Sequence, residues 1–530
     1  MTSTTITAGG SRLSSASASR GTTVAVAALT ALALALRVTS LSRSLFTDEV
    51  YSLALAQRSF GHMVALFGYE ANGTLYSIVL WPLIRVFGDS ELLLRLPAVV
   101  AGTASVPAMW WAARQFAGRA VALVAAALLA VNPMAAWYSQ EARAYAFVVL
   151  TACLGFGALA YASARANGAR AAWIGYVAAM AAMAYCDLLA VPLVLPAQLL
   201  LVRSGGPRAV RRWRRALLAL LLCCLPLLVA AGISRSRRDA FYWLPRTDRA
   251  LVELALQEFT GGFSDVSAVG WITLLAGALL VGAAVWRSHG RGRERERSRL
   301  GVAAAWGLVP AALLLAVSLV EPVFWPRYAI LSLPGLCLLV ALAADCLWES
   351  RWGRVAAASC LAAIAALAMF AAVRQVREVQ ENWRPVAAWL RAARAPGQPT
   401  IVDNALVLPS LGYYDPAFRA HDGDLIVQEW HDEPLPGGFV GFKDRTGYGS
   451  VPNGPPPAAT FARLARRGDG TVWMVVAEVD EDLQSDPRDG AAVAWAREHC
   501  RVQVRESTGV WALRASGCAS AVASRRRSRI

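Results

Sequence analysis

Phe46-Thr47-Asp48-Glu49-Val50-Tyr51-Ser52 follows directly on the first long apolar run of the chain. Two adjacent carboxylates at the mouth of a membrane segment are costly to hold beside lipid, so they require a solvated pocket or a cationic partner. That marks Asp48 and Glu49 as a candidate site. On charge alone an exposed pair on an outer loop explains them equally well, and the surrounding sequence has to decide.

That sequence is strongly apolar: of 530 residues, 56% are hydrophobic and 17% charged, with a mean hydropathy of +0.43. Soluble proteins of this length are far more polar. Runs near the ~20 residues that cross a bilayer recur from about residue 22 to 373, beyond which the composition becomes mixed. The expected fold is therefore mainly α, a polytopic membrane domain over 22–373. A disordered cytoplasmic tail at 1–21 precedes it, and an extracytoplasmic α/β domain at 374–520 and a basic tail at 521–530 follow.

Candidate spans fall near 22–41, 95–113, 120–138, 144–163, 171–186, 188–203, 216–233, 268–286, 301–320, 327–347 and 354–373, about eleven in all. With the N-terminus inside, the two heaviest basic loops, Arg208 to Arg215 and Arg291 to Arg299, both face the cytoplasm, as positive loops do. The net charge of +16 thus reads as topology and excludes a nucleic-acid stripe. Leu75 to Phe87 is apolar but short and carries Pro82 and Arg85, so it is expected to lie along the surface within one outer loop, 42–94. If it spanned, every later basic loop would face out.

This topology gathers Asp48, Glu49, Glu141, Arg143, Asp187, Glu321 and Arg327, from distant parts of the chain, on the outer side. Convergence on one face is the argument for a site there. Beyond the last span, Asn382-Trp383-Arg384-Pro385 opens an amphipathic helix, and 400–403, 424–427, 471–478 and 501–513 read as strands. Seven cysteines sit in or beside apolar runs without metal-ligand spacing, while Cys500 and Cys518 lie in the soluble part and are expected to pair if it faces an oxidising compartment. Of five histidines, His62 alone lies on a membrane-proximal outer loop, so no metal and no cofactor are expected. The Arg-heavy, Lys-poor, Ala-rich composition points to a GC-rich bacterial genome and a multi-pass protein of the cell membrane.

Outside that membrane nucleotide-activated donors are not normally available, so a donor carried by lipid and presenting a phosphate at headgroup level is the natural substrate. Arginines suit such a phosphate because they contact its oxygens in pairs. Arg143 in Tyr138-Ser139-Gln140-Glu141-Ala142-Arg143-Ala144-Tyr145 and Arg327 in Phe324-Trp325-Pro326-Arg327-Tyr328 each begin a span at the outer interface, where plain anchoring is the competing reading. An acceptor hydroxyl must lose a proton as it attacks, and Asp48 is the candidate base. Glu49 either orients the acceptor or pairs with an arginine, and Glu141 could tether Arg143; the sequence leaves these roles open.

The ordered set Asp48-Glu49, Leu75-Tyr76, Phe87-Gly88-Asp89-Ser90-Glu91 with Arg95-Leu96-Pro97, and Tyr138 to Tyr145 resembles the bacterial membrane glycosyltransferases akin to protein O-mannosyltransferases and the lipid A aminoarabinose transferase, of GT-C architecture. The resemblance covers residues 40–150 best, with Arg327-Tyr328 a match further on. It implies inverting transfer of a sugar, mannose by analogy, from a polyprenyl phosphate donor to an extracytoplasmic protein, glycan or lipid acceptor. Asp48 then matches the family's base, and Arg143, Arg327 and Tyr145 the phosphate contacts, with Glu141, Arg95, Tyr76 and Tyr328 in support. Many relatives carry His-Pro-Pro before Leu-Tyr where this chain has Ala71-Asn72-Gly73-Thr74, so acceptor and metal details do not transfer.

A transporter or flippase for lipid-linked sugars is the alternative from another class. It would show charges near mid-bilayer and repeated halves, whereas most charges here sit at span ends. An inactive scaffold is a third reading, against which the intact Asp48 and Arg143 argue.

Overall fold

The computed structural model describes residues 10–67, 73–165, 169–234, 246–261, 267–290, 293–375, 377–402, 407–418, 425–427, 458–467, 469–477 and 491–518. Ala71, Asn72 and the basic tail at 521–530 lie outside the described residues.

Each of the eleven expected spans contains a helix. Among the described residues, eight helices have the length and apolarity to cross a membrane, from Arg20–Arg37 to Arg351–Gln375. Three expected spans are shorter, each for a readable reason. Arg119–Val131 is stopped by Asn132-Pro133, where Asn132 caps the next short helix, Pro133–Trp137, by accepting the Ala135 N–H. Arg170–Cys186 and Ala190–Ser204 are parted at Asp187, which accepts the Leu189 N–H at 2.9 Å. The first helix runs from Gly10 to Arg37, so residues 10–21, expected as part of a tail, are helical.

The spans pack most closely along Glu91–Ala113, Tyr145–Ser163 and Pro326–Leu347, whose windows are 67%, 72% and 78% buried. Small residues permit the approach. Gly335 meets Gly307 so tightly that a Cβ added there would stand 2.4 Å from the Gly307 nitrogen. Phe156 stacks on Trp306 at 3.9 Å beside this contact. Peripheral helices such as Arg351–Gln375 bury only 28% of their windows and leave Trp352 and Val355 exposed, as lipid-facing surfaces do.

Between the first two long spans lie three helices: Thr47–Ala56, Phe60–Leu66 and Thr74–Phe87. The last has 14 residues, about 21 Å at 1.5 Å per residue, which falls short of a bilayer core. Arg85 returns to this group, donating to the carbonyls of Ala56 and Arg58.

The C-terminal domain is a five-stranded mixed sheet, β1 (Thr400–Val402), β2 (Leu425–Val427), β3 (Val472–Ala477), β4 (Arg501–Ser507) and β5 (Val510–Ser516), in the order β2-β1-β3-β5-β4. β1 runs parallel to β2 and β3, and β5 antiparallel to β3 and β4. The two-residue period sends Trp473, Val475 and Ala477 to one core with Trp383, Val386 and Leu390, and Met474 and Val476 to a second with Phe461 and Leu464. One sequence expectation is corrected: 501–513 is not a single strand but a hairpin, turned at Thr508-Gly509 with Gly509 at φ +63°. Cys500 and Cys518 form a disulfide across its open end, Cα atoms 4.5 Å apart.

Candidate active site

The helix Thr47–Ala56 starts nine residues after the first span and carries the acidic pair in its first turn. The two neighbours face different surroundings. Asp48 Oδ2 lies 3.3 Å from Arg327 Nη2, with the two side chains 34% and 16% exposed. Glu49 is fully buried and bonded to Arg95 through both carboxylate oxygens, at 2.7 and 2.5 Å. Its oxygens also accept the N–H groups of Phe46 and Ala142. Arg95 completes its own donors on the carbonyls of Leu41, Arg43 and Ser44. Of the two roles open for Glu49, the geometry therefore favours the arginine pair, a structural part in place of the catalytic one. Tyr76 is likewise committed, donating to the Leu94 carbonyl at 2.6 Å and packing edge-on against Phe147.

Asp48 has a contested environment. Burial pushes its carboxyl up, but the guanidinium groups of Arg143 and Arg327 together hold it below the usual carboxylate range. Arg327 sits at the N-terminal end of its span on the 3₁₀ turn Pro326–Ser332, its guanidinium 5.8 Å from the ring centre of Tyr145 and 5.9 Å from that of Tyr328. Tyr145 packs edge-on against Tyr138 at 4.9 Å. Arg143, in the turn just before Tyr145, also lines a cavity of about 10 Å³ with Tyr51, Ser52, Gly73, Tyr76 and Ser77. Asp48, Arg143, Arg327, Tyr145 and Tyr328 are thus brought together from three separated segments.

Glu141 does not tether Arg143. Its side chain is buried, Oε2 has no hydrogen-bond partner among the described residues, and burial first, then the Glu49 charge, pushes its carboxyl up to about 8. Glu321, grouped with the site in the sequence, is exposed, and Asp187 accepts the Leu189 N–H between two helices.

Two members were missed in the sequence. Glu258, on the helix Arg249–Gly261, is buried with Oε2 unpartnered among the described residues; burial raises its carboxyl well above the usual range, against the Arg327 charge and with that of Glu141. The signal was present: Leu251, Ala255 and Glu258 share one helix face, an acid inside an apolar stripe. Arg43 lies with its guanidinium 4.2 Å over Trp137 and donates to the Gln140 carbonyl. A basic residue on the outer side, against the usual charge bias, was its signal. Among the described residues, no three His, Cys, Asp or Glu side chains converge closely enough to hold a metal ion.

What the arrangement offers is an ionised carboxylate facing guanidinium groups and phenol rings at one end of a helical bundle. Residues 72–231 match the family model for dolichyl-phosphate-mannose-protein mannosyltransferases. The chain is similar to ArnT from Cupriavidus metallidurans in the structure bound to undecaprenyl phosphate: 15% identity, TM-score 0.56, 92% of this chain and 97% of that one covered. The fold is GT-C. A second GT-C structure, oligosaccharyltransferase AglB from Archaeoglobus fulgidus in complex with an inhibitory peptide and a dolichol-phosphate, aligns at 10% identity and TM-score 0.51, with 94% and 74% covered. No curated protein matches the chain by sequence. The family model covers under a third of the chain, and the likeness to the solved structures is one of fold.

Proposed function

We propose that the protein transfers a sugar, with mannose the first candidate, from a polyprenyl phosphate to a hydroxyl of an acceptor outside the cell membrane, with inversion at the sugar carbon. The observation that carries this reading is the pairing of Asp48 with Arg327 beside Arg143, at one end of the bundle.

In the resting protein Arg327 faces the Asp48 carboxylate. A donor phosphate brought up to Arg327 and Arg143 offers them a stronger, two-pronged partner. Losing that contact, Asp48 is left with the desolvation that raises its proton affinity, which makes it a better base at the moment an acceptor is present. The acceptor oxygen then attacks the anomeric carbon, the bond from that carbon to the phosphate oxygen breaks, and the hydroxyl proton passes to Asp48. The polyprenyl phosphate leaves as an anion against the two guanidinium groups, where preformed charge lowers the barrier. Polyprenyl phosphates bound to the ArnT and AglB structures support the donor class, and the peptide in AglB is consistent with a protein acceptor among others. The C-terminal domain, with its disulfide, would lie on the outer side with the site.

The test is transfer from a panel of radiolabelled polyprenyl-phosphate sugars in membranes containing the wild type or Asp48→Asn. Label reaching acceptor with the wild type, and none with a variant that still inserts and purifies folded, is the expected result. Undiminished transfer by Asp48→Asn rules out the base.

A further inference from the structure

The helix that carries Asp48 starts without the residue type that normally starts one. Its cap position is Phe46, which has no side-chain oxygen to receive a backbone N–H, where Ser, Thr, Asp or Asn is usual. The missing acceptor comes from the far end of the chain. Glu381 Oε2 accepts the Thr47 backbone N–H at 3.0 Å, the Thr47 hydroxyl at 3.0 Å and the Trp383 indole N–H at 2.6 Å. Ser410 adds a contact to the same hydroxyl.

Glu381 is buried in the strap between the last span and the C-terminal sheet, and the strap is itself fixed. The Asn382 N–H donates to the Thr508 carbonyl at the tip of the β4–β5 hairpin, 2.7 Å away. Gly509 comes so close that a Cβ there would stand 2.2 Å from the Gln380 carbonyl oxygen, so only glycine fits the tip against the strap. On the other side, the Trp383 N–H donates to Ser44 Oγ, just before the helix. Arg384 pairs with Glu91, and Tyr414 donates to Glu91 while accepting the Leu45 N–H. A carboxylate delivered by the soluble domain therefore fixes the residue immediately before Asp48.

We propose that Glu381 is a positioning residue for Asp48: it holds the start of the helix so that the carboxylate faces Arg327, and it makes transfer depend on the docked C-terminal domain. This rests on reading Asp48 as the base. The acceptor oxygen, more than the negative charge, is the requirement. Burial, opposed by the bonds from Trp383 and Thr47, lifts the Glu381 carboxyl to about 7, so the neutral form is tolerated.

The experiment uses the full chain in lipid nanodiscs, comparing wild type, Glu381→Ala, Glu381→Gln and Asp48→Asn. Initial rates against polyprenyl-phosphate sugar and amide hydrogen exchange over residues 46–53 are read together. Misplacing a reacting group by an ångström costs on the order of 100-fold. Glu381→Ala is therefore expected to lower kcat roughly 10- to 100-fold, with KM for donor within about twofold, and to speed exchange over 46–53. Glu381→Gln keeps an oxygen in place and is expected to recover most of both. Unchanged exchange in Glu381→Ala overturns the inference, as does faster exchange with wild-type kcat beside an inactive Asp48→Asn. Transfer that survives Asp48→Asn instead overturns the base assignment and the catalytic half of this inference, while the exchange data alone still decide whether Glu381 holds the helix.

Discussion

Arg95 and Glu49 close on each other through two parallel bonds, with neither side chain reaching solvent. Arg95 also ties down three carbonyls of the turn that leads from the first span to the acidic helix. Removing one member leaves a buried, uncompensated charge, a loss of about 3–5 kcal/mol. Arg95→Ala is expected to lower the thermal midpoint in detergent sharply and to reduce the yield of monodisperse protein. Glu49→Gln keeps the acceptor oxygen toward Ala142 and should retain measurable transfer, in contrast to Asp48→Asn.

Arg327 is expected to resist even the conservative change. Lysine keeps the charge but presents a point donor in place of a planar fork. Arg327→Lys should cost at least about 10-fold in kcat/KM, equivalent to about 1.4 kcal/mol in transition-state binding. Arg327→Ala, which removes the charge altogether, should in addition lose its residual activity on the acid side at higher pH than the wild type. In Arg327→Ala, with that guanidinium gone, burial raises the Asp48 carboxyl against Arg143 alone. A pH–rate profile of kcat/KM for both variants checks this.

Glu141 provides a pH test of stability. Its folded value, about 8, lies above the ordinary 4.5, so the folded protein holds this proton more tightly than the unfolded chain. The stabilisation is complete below the unfolded value and is lost as pH rises towards and through about 8. Thermal midpoints should therefore fall between about pH 5 and 8 in the wild type and level off above. Glu141→Gln, which imitates the protonated form, should show a shallower fall.

The pair Cys500–Cys518 closes a loop 18 residues apart in sequence. Loops near that length contribute about 3 kcal/mol by the chain-entropy account. Cys500→Ser is expected to lower the unfolding midpoint of the C-terminal domain. In the wild type, maleimide labelling of the soluble domain should require prior reduction.

The bundle was readable because lipid imposes one rule on every span, and runs such as Glu91–Ala113 obey it regardless of partners. Asp48 was readable for the opposite reason, as a local violation of that rule beside a span. Glu49 was not separable from Asp48 in the sequence, because its partner, Arg95, is 46 residues away and looks like any interfacial arginine. The hairpin at 501–513 was hidden because Thr508-Gly509 is a weak turn signal inside an otherwise extended pattern. Glu381 gave no sign at all: its role is set by an N–H 334 residues earlier, a relationship that no local pattern carries.

That same separation sets an order of events during synthesis. The ribosome delivers Thr47 early, but the oxygen that receives its amide arrives only after the last span has threaded, and the hairpin tip that braces the strap comes later still. Every span is therefore made before the corner that holds Asp48 can be finished, and a chain that ends between the last span and residue 508 lacks the brace that completes it.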